Sequence, residues 1–285
     1  MSLSNLRPLL SVLIPTYNRE AYIRDCIGSV LGQQFKDFEI IVSDNDSTDR
    51  TVEIVEALAL GDSRIRLLRH PANRGPLPNW AECLRAARGY YIHWLWSDDT
   101  VEPGFYLAWA RLRGTHGGDI ITGCAANMIN AAGRRTDVCY EPQQDYLPWE
   151  HLRCQLGGRF KIALSPAAYV IPARLAQAHF YEAIPPLGAL DPSKRAIGPD
   201  FLMIVGAIKE CGGLWLIAEP LVNFRVHDGS ISVRSHNHLT AHYIYALLWF
   251  LQKERVPLKF VSRVKFLIRA FSYRSPRMAL RCFFP

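Results

Sequence analysis

The chain has 285 residues, of which 49% are hydrophobic and 21% charged, and its mean hydropathy is close to zero. This length allows one large domain with an ample core, and every apolar run is shorter than the roughly 18 to 20 residues that span a bilayer. The N-terminus lacks the pattern of an export signal, and the seven cysteines include no CxxC pair, which argues against a disulfide framework and a zinc knuckle. A cytoplasmic protein is therefore expected.

The net charge of +7 is concentrated at the C-terminus. Residues 253–285 hold nine of the 33 basic residues and one of the 26 acidic residues, so the first 252 residues carry 24 basic and 25 acidic residues. A nucleic-acid-binding domain would carry its positive excess on its own folded surface. We therefore expect no nucleic-acid partner.

Strand and helix patterns alternate over the first hundred residues. Short apolar runs predict strands, and apolar residues at helical spacing predict the helices between them. The strands are 9–15, 38–43, 64–69 and 90–96; the helices are 20–33, one that Ser47, Thr48 and Asp49 can cap, and one ending near residue 88. This βαβαβαβ order predicts an α/β fold with a mostly parallel sheet and helices on both faces.

The pattern of residues 101–235 is less regular. Helices are predicted over 103–112, 172–180 and 200–210, and strands over 119–123, 137–141, 160–171, 214–218 and 221–226. Proline and glutamine accumulate over 141–148, and proline and glycine over 185–199, which predicts mobile loops. From about residue 238, two helical patterns separated at Pro257 finish the chain.

Aspartates follow two of the predicted strands. Asp44 and Asp46 come after the second strand, and Asp98 and Asp99 follow the fourth. Ligands of open parallel sheets bind beyond the carboxyl ends of the strands. One such carboxylate can fix a nucleoside by hydrogen bonding, and another can hold a divalent metal over a diphosphate. The pattern predicts a nucleotide-sugar site.

Five blocks of sequence resemble family 2 glycosyltransferases of the GT-A fold. They are SVLIPTYNR at 11–19, SDNDSTD at 43–49, NRG at 73–75, the segment from Ala87 to Pro103 with Ser97-Asp98-Asp99, and a block from Pro220 to Ser232. Their order and spacing make the match specific, and it covers roughly residues 9–235. The resemblance implies a Rossmann-like sheet and inverting transfer from a nucleotide sugar.

The first blocks supply the predicted nucleotide-binding residues. A carboxylate at Asp44 can accept the imide N–H of uracil or thymine, and the resemblance implies the same role; a turn or helix-capping aspartate is the alternative. Pro15, Thr16 and Tyr17 would line the base pocket, although Tyr17 could instead pack on a helix. Arg74 would contact base or phosphate, or lie in a solvated loop.

The later blocks supply the predicted metal ligands. By analogy with the family, Asp98 would lie near the ribose, and Asp99 would bind Mn²⁺ or Mg²⁺, hard cations that need oxygen ligands. His227 would be a second ligand, because Trp96 stands where many members have a further aspartate. The alternatives are that the aspartate pair caps the helix near Pro103 and that His227 is an ordinary hydrogen-bonded histidine.

Asp200 is the candidate catalytic base. It stands where the family places an acidic residue at the start of a helix facing the acceptor, and general-base assistance is typically worth about 10²- to 10⁴-fold. Aspartate is also favoured at a helix start for structural reasons. Asp191 is the reserve candidate.

The C-terminal segment is a basic amphipathic pattern. Apolar residues recur at helical spacing with Lys and Arg off that stripe; they are Leu258, Val261, Val264, Ile268 and Phe271. Such a helix is typical of binding to an anionic membrane surface. The alternative is that the stripe packs against the domain and the charges are solvated.

We interpret residues 1–236 as a GT-A domain, with a nucleotide-binding half over 1–100 and an acceptor half over 101–236, followed by the helical extension over 237–285. The predicted activity is metal-dependent, inverting transfer of a hexosyl or deoxyhexosyl group from a UDP- or dTDP-sugar to a hydroxyl of a glycan acceptor. The acceptor is expected to be linked to a lipid. The reaction would take place at the inner face of the cell membrane and contribute to polysaccharide assembly. Two alternatives stay open: a sugar-phosphate nucleotidyltransferase, and a non-catalytic nucleotide-sugar-binding module.

Overall fold

The computed structural model describes residues 7–140, 142, 144–155, 163, 165–230 and 236–257. Its strands are β1 (Leu10–Thr16), β2 (Phe38–Asp44), β3 (Ile65–Arg69), β4 (Tyr91–Trp94), β5 (Thr100–Val101), β6 (Thr122–Asn130), β7 (Arg135–Tyr140), β8 (Tyr146–Pro148), β9 (Tyr169–Pro172) and β10 (Gly213–Val226). Its helices are α1 (Ile23–Leu31), α2 (Thr51–Gly61), α3 (Pro76–Ala86), α4 (Phe105–His116), α5 (Trp149–Gln155), α6 (Ala173–His179), α7 (Pro192–Arg195), α8 (Pro199–Cys211) and α9 (His236–Lys253).

Within the described residues these strands form one ten-stranded sheet. The order is β3-β2-β1-β4-β9-β6-β10-β5, with β7 paired to β6 and β8 to β10. The first four strands are parallel to one another, β9 runs antiparallel to both β4 and β6, and β6 is parallel to β10. The predicted α/β fold with its parallel first half is confirmed.

β1 lies between β2 and β4 because its sequence is apolar on both faces. All seven of its residues are buried, as expected for a strand covered by helices on both sides of a parallel sheet. Thr16 pairs with Asp44 of β2, and Leu13 pairs with Trp94 of β4. The carboxyl ends of the three strands therefore meet at one edge of the sheet, which we call the carboxyl edge.

The helices around this half follow their sequence signals. α1 buries residues at helical spacing, namely Ile23, Cys26, Ile27 and Val30. α3 begins after Gly75, whose φ of 83° suits glycine, and Pro76 occupies its first turn, where a missing N–H costs nothing. Both helices place the loops that precede them at the carboxyl edge.

The second half corrects two strand predictions. The strand predicted over 119–123 is β6, which begins at Thr122 and runs to Asn130. The two strands predicted over 214–218 and 221–226 are one strand, β10, whose pairing with β6 shifts register on both sides of Pro220. Proline has no N–H to give to the ladder, so the strand bulges there and then continues.

The two segments predicted as loops contain short elements. β8 lies within 141–148 and pairs with β10, and α7 lies within 185–199. The strand predicted over 160–171 is a 3₁₀ helix, Pro166–Ala168, followed by β9; residues 156–162 and 164 lie outside the described residues.

The predicted C-terminal extension begins as a helix. α9 packs on α7 and α8, and buries among others Ile244, Leu247 and Phe250. The predicted second helix lies beyond residue 257, outside the described residues. Among the residues described here, we find no helix with the length and hydropathy that crossing a bilayer requires.

Candidate active site

Asp44 ends β2 at the carboxyl edge and is 2% exposed. Its Oδ1 accepts the hydroxyl of Ser47, and its Oδ2 accepts the main-chain N–H of Ser47 at 3.0 Å. The carboxylate thus stabilises the turn that leads into α2, which agrees with the alternative prediction of a turn or helix-capping aspartate. Each carboxylate oxygen can accept a second hydrogen bond, so the contact with a base stays a prediction.

The end of β1 presents the other residues predicted for the base pocket. Pro15 and Thr16 are buried, and Thr16 Oγ1 is a buried hydroxyl without a hydrogen-bond partner. Tyr17 is 42% exposed, so its ring is not buried against a helix. A buried hydroxyl that lacks a partner beside an exposed tyrosine is an arrangement that a bound ligand can complete.

Asn45 is a residue that the sequence analysis did not single out. Its Nδ2 donates to Asn73 Oδ1 at 3.0 Å and to the main-chain oxygen of Gly75 at 3.1 Å, and its Oδ1 accepts the N–H of Arg74 at 3.0 Å. This buried amide joins the loop before α3 to the end of β2. Only its position between two aspartates hinted at the role.

Arg74 lies at this loop with its side chain 47% exposed. Its Nη2 lies 2.7 Å from Nδ1 of His70, whose Nε2 lies 3.0 Å from Ser43 Oγ. The half-exposed guanidinium leaves N–H groups facing solvent, so Arg74 can still meet a base or a phosphate.

Asp98 and His227 are in direct contact although 129 residues separate them. His227 Nε2 lies 2.8 Å from Asp98 Oδ2, and His227 Nδ1 accepts the N–H of Gly229 at 3.1 Å. A neutral imidazole that accepts at Nδ1 carries its proton at Nε2, and this proton faces Asp98. The sequence predicted that His227 and Asp99 share a metal, whereas in the structure His227 contacts Asp98.

Asp98 and His227 are residue types that ligate divalent metals, and His227 Nε2 could do so once it gives up the proton that faces Asp98. Metal–ligand bonds of about 2.0 to 2.2 Å put neighbouring ligand atoms roughly 3 Å apart, close to the spacing found here. In the described part of the chain, no group of three or more His, Cys, Asp or Glu side chains is placed to hold a metal. A cation held by these two side chains would need its other ligands from phosphate oxygens and water.

Asp99 has a different environment from its neighbour. It is 5% exposed, and its Oδ1 accepts the main-chain N–H of Arg225 at 2.8 Å. Burial, followed by the nearby Asp98 charge, raises the pKa of Asp99 well above its usual value. Its contacts are those of a residue that positions Asp98 and the end of β10.

Arg225 is a second residue whose contacts are visible only in the structure. Its side chain is 4% exposed, and the guanidinium donates to the main-chain oxygens of Asp98 at 2.8 Å and of Ala131 at 3.0 Å. These bonds join the end of β10, the turn after β6 and the loop that carries Asp98. The sequence signal was its place in the block before His227.

A chain of contacts connects the two acidic clusters. Ser47, which bonds to Asp44, accepts the main-chain N–H of Asn18 at 2.9 Å. The next residue, Arg19, places its Nε 3.7 Å from Asp98 Oδ2. Asp44 and Asp98 therefore border the same edge of the sheet, as the sequence predicted for one nucleotide-sugar site.

Asp200 lies in the first turn of α8 and is 7% exposed. Its Oδ1 is buried without a hydrogen-bond partner. Burial raises the pKa of Asp200 to about 6, despite the main-chain N–H groups that lower it. An unpartnered, weakly acidic carboxylate is suited to accepting a proton. The reserve candidate, Asp191, instead caps α7 by accepting the N–H of Lys194 at 2.9 Å.

Trp96 occupies the position where many members of the resembled family have an aspartate. Its Nε1 donates to Ser165 Oγ at 3.1 Å, and its ring lies 4.7 Å from that of Trp80. The indole thus links the loop before Asp98 to the 3₁₀ helix that Ser165 caps. It provides no oxygen ligand, which leaves His227 as the partner of Asp98.

Part of the chain matches a known protein family. Residues 11–127 match the family model described as glycosyl transferase family 2. This segment of the chain is similar to a family 2 glycosyltransferase domain. The matched segment holds Asp44, Asp98 and Asp99.

Relatives and solved structures agree with this glycosyltransferase domain. It is 40% identical over 98 residues to a GalNAc(5)-diNAcBac-PP-undecaprenol beta-1,3-glucosyltransferase of Campylobacter jejuni, a match over 34% of this chain and 32% of the relative. The matches span 10% to 41% of the length of the curated relatives.

Two solved structures share the fold of the glycosyltransferase domain. Staphylococcus aureus TarS 1–349 in complex with UDP-GlcNAc aligns over 94% of this chain and 74% of that one, with a TM-score of 0.64 and 18% identity. The mannosyltransferase PcManGT from Pyrobaculum calidifontis, in complex with GDP-Man and Mn²⁺, aligns over 98% and 74%, with a TM-score of 0.54 and 16% identity. The predicted GT-A fold is confirmed.

Proposed function

We propose that this protein is a metal-dependent, inverting glycosyltransferase. It moves a hexosyl or deoxyhexosyl group from a UDP- or dTDP-sugar to a hydroxyl of a glycan acceptor. The observation that carries the proposal is the Asp98–His227 pair, a ligand set for a hard cation, on the sheet edge that also holds Asp44. The solved relatives bound to UDP-GlcNAc and to GDP-Man with Mn²⁺ support it.

The nucleoside is proposed to bind over the ends of β1 and β2. Asp44 accepts the imide N–H of the base, and the unpartnered hydroxyl of Thr16 and the main chain at Pro15 supply polar contacts. The exposed ring of Tyr17 lies against the base, and Arg74 meets the base or a phosphate. A carboxylate that accepts an imide proton favours uracil or thymine over bases that lack that donor.

Asp98 and His227 are proposed to hold Mn²⁺ or Mg²⁺. When bound, the cation neutralises the charge of the diphosphate leaving group and orients it. This assignment differs from the expectation that Asp99 is the ligand, since the carboxylate of Asp99 accepts the N–H of Arg225. Asp99 is proposed to position Asp98 instead.

Asp200 is proposed as the general base. Inverting transfer needs a carboxylate opposite the leaving diphosphate, to take the proton of the acceptor hydroxyl as attack proceeds. A pKa of about 6 leaves Asp200 mostly ionised at neutral pH, yet a stronger base than an ordinary aspartate. Its unpartnered Oδ1 is the atom that would receive the proton.

The acceptor is proposed to be a lipid-linked glycan in polysaccharide assembly at the inner face of the cell membrane. The Campylobacter jejuni relative, whose name includes an undecaprenol diphosphate acceptor, supports this class. The basic segment 258–285, which lies outside the described residues, would bring the enzyme to anionic lipid. The boundary at residue 236 between the GT-A domain and this extension is part of the same proposal.

The first experiment is a thermal-shift series with UDP, dTDP and GDP and their sugars, with and without Mn²⁺. A ligand that binds the folded state raises the melting temperature by mass action. The second experiment measures release of the nucleoside diphosphate from the sugar nucleotide that gives the largest shift. Slow, Mn²⁺-dependent release supports the transferase, whereas stabilisation without release would favour a non-catalytic binding module. No shift with any nucleotide would contradict the proposal.

A further inference from the structure

The positively charged side chain of Arg19 lies beside the proposed metal ligand Asp98. Nε of Arg19 is 3.7 Å from Oδ2 of Asp98, and this is the same oxygen that lies 2.8 Å from His227 Nε2. The His227 contact has the length of a hydrogen bond, whereas the Arg19 contact is longer and is an ion pair alone. This one oxygen of Asp98 therefore faces two donor groups.

The main chain around Arg19 holds its guanidinium in place. The N–H of Arg19 donates to Thr51 Oγ1 at 2.7 Å, and Nη1 donates to the main-chain oxygens of Tyr17 at 3.2 Å and Asn18 at 3.0 Å. Nη2 has no hydrogen-bond partner among the described residues, and the side chain is 21% exposed. Two N–H groups are thus left for a ligand that enters from solvent.

The other arginines near Asp98 and Asp44 are already occupied or more distant. The Arg225 guanidinium donates to main-chain oxygens of Asp98 and Ala131, which fixes it under the loop. Arg74 contacts His70 beside the base position. Arg19 combines contact with the metal-ligand oxygen and open N–H groups, a combination that neither of these two residues has.

The positive charge of Arg19 determines how it affects metal binding at Asp98. A divalent cation held by Asp98 would lie near the guanidinium, and like charges at short distance repel even with partial exposure to water. The diphosphate of a sugar nucleotide changes the balance, because it offers negatively charged oxygens to both cations. An arginine fork matches phosphate oxygens in a bidentate manner.

We propose that Arg19 couples metal binding to nucleotide binding. In the donor-free protein it competes with the divalent cation for Asp98, and when a nucleoside diphosphate binds it contacts the phosphates and releases Asp98 to the metal. The inference rests on the proposed function. Its consequence is reciprocal: each of the two ligands raises the affinity for the other by the same factor.

The test measures Mn²⁺ binding to the full chain by electron paramagnetic resonance of free Mn²⁺, with and without UDP, or with dTDP or GDP if that nucleotide gives the larger thermal shift. For Arg19→Met we expect Mn²⁺ to bind the donor-free protein about 3- to 10-fold more tightly than wild type. UDP should bind about 10- to 100-fold more weakly at saturating Mn²⁺. The factor by which UDP raises Mn²⁺ affinity should fall.

Two further variants separate the effect of the positive charge of Arg19 from that of its forked shape, and from the effect of losing any exposed arginine. Arg19→Lys keeps a positive charge, so its donor-free Mn²⁺ affinity should stay within about 2-fold of wild type, while UDP binds more weakly because the fork is lost. Arg24→Met removes an exposed arginine of α1 and should change neither constant. Mn²⁺ that binds to the Asp98→Asn variant is bound away from Asp98, and this amount is subtracted from the Mn²⁺ bound by each other variant. If Arg19→Met fails to fold, Arg19→Gln takes its place.

The outcomes are distinguishable from failure of the proposed function. Donor-free Mn²⁺ affinity that is unchanged or weaker in Arg19→Met overturns the coupling, while wild-type binding of UDP with Mn²⁺ leaves the proposed function standing. If wild type binds neither Mn²⁺ nor any of the three nucleotides, the proposed function itself fails and the coupling fails with it.

Discussion

The main-chain N–H of Arg225 donates to Oδ1 of Asp99 at 2.8 Å, and this bond fixes the end of β10 against the loop that carries both aspartates. The Arg225 guanidinium adds a bond to the main-chain oxygen of Asp98. His227 follows Arg225 by two residues, so the same contacts bring its ring to Asp98. The position of the proposed metal ligands therefore depends on a buried arginine that need not touch the metal.

Replacing Arg225 should weaken the fold and the site together. Arg225→Met leaves the main-chain oxygens of Asp98 and Ala131 without donors, and we expect a loss of about 2 to 4 kcal/mol in the free energy of unfolding, measured by urea denaturation. Arg225→Lys should lose less, because the ammonium can keep one of these bonds. Arg111→Met, at an exposed position of α4, is the control and should lie within about 0.5 kcal/mol of wild type.

The two neighbouring aspartates should respond differently to amide substitution. Asp98→Asn removes the charged ligand oxygen, so Mn²⁺-dependent binding of the nucleoside diphosphate should weaken by about 100-fold or more in calorimetric titrations. Asp99→Asn retains an oxygen that can accept the Arg225 N–H, and its affinity should fall by less than about 10-fold. If nucleotide affinity fell more in Asp99→Asn than in Asp98→Asn, Asp99 would be the metal ligand, as the sequence first indicated.

The pKa of Asp200 predicts the acidic limb of the activity profile. A base must be ionised to accept a proton, so kcat/KM should rise with pH and level off above about 6, the value to which burial raises this pKa. Asp200→Asn should lower the rate by about 10²- to 10⁴-fold. An unchanged acidic limb in a variant with residual activity would assign the limb to another group.

The same raised pKa has a consequence for stability. Because the folded-state pKa exceeds the ordinary value of 3.8, the neutral carboxyl favours the folded state at low pH, and this advantage is lost as pH rises through about 6. Asp200→Asn keeps a neutral side chain, so at pH 8 it should be more stable than wild type by about 1 to 3 kcal/mol, with the difference vanishing near pH 4. Asp191→Asn, which keeps a capping side chain on α7, is the control and should show no such pH dependence.

Glu39 offers a test of stability away from the site, because it lies at the opposite end of β2 from Asp44. Burial alone would raise the pKa of Glu39, but hydrogen bonds from Ser11, Arg66 and Arg88 outweigh it and hold the pKa below its usual value. The resulting stability is present at neutral pH and is lost as pH falls through the lowered pKa.

Glu39→Gln should therefore destabilise the protein by about 1 to 3 kcal/mol at pH 7 in urea denaturation, with the difference shrinking as the solution is acidified. Nucleotide affinity of the folded protein should be unchanged. Glu53→Gln, at an exposed position, is the matched control. A change in nucleotide affinity would show that the two ends of the strand are coupled.

The membrane proposal is tested by removing residues 257–285. The full chain should co-sediment with vesicles that contain anionic lipid, and the shortened chain should stay in the supernatant if its circular dichroism shows that it is folded. Raising the salt concentration should weaken binding of the full chain, because part of the attraction is electrostatic. Unchanged sedimentation of the shortened chain would refute the proposal.

The sequence determined the features that local chemistry controls. Apolar runs and helical spacing gave the alternation of strands and helices in the first half, and residue order placed Asp44 and Asp98 at the ends of parallel strands. The spacing of apolar residues and the residue types of turns are local features, each set by a few neighbouring residues, so they can be predicted from a single sequence. The same local features predicted two strands in place of β10, because they cannot show that pairing with β6 resumes after the bulge at Pro220.

Only the tertiary structure decided which groups meet. The sequence suggested His227 and Asp99 as a pair, but a bond from the main chain of Arg225 holds Asp99, and His227 lies against Asp98. The unpartnered oxygen of Asp200 and the contact of Arg19 with Asp98 were equally beyond the sequence. Such contacts depend on the directions of side chains that are far apart in the chain, and packing of the complete fold sets those directions.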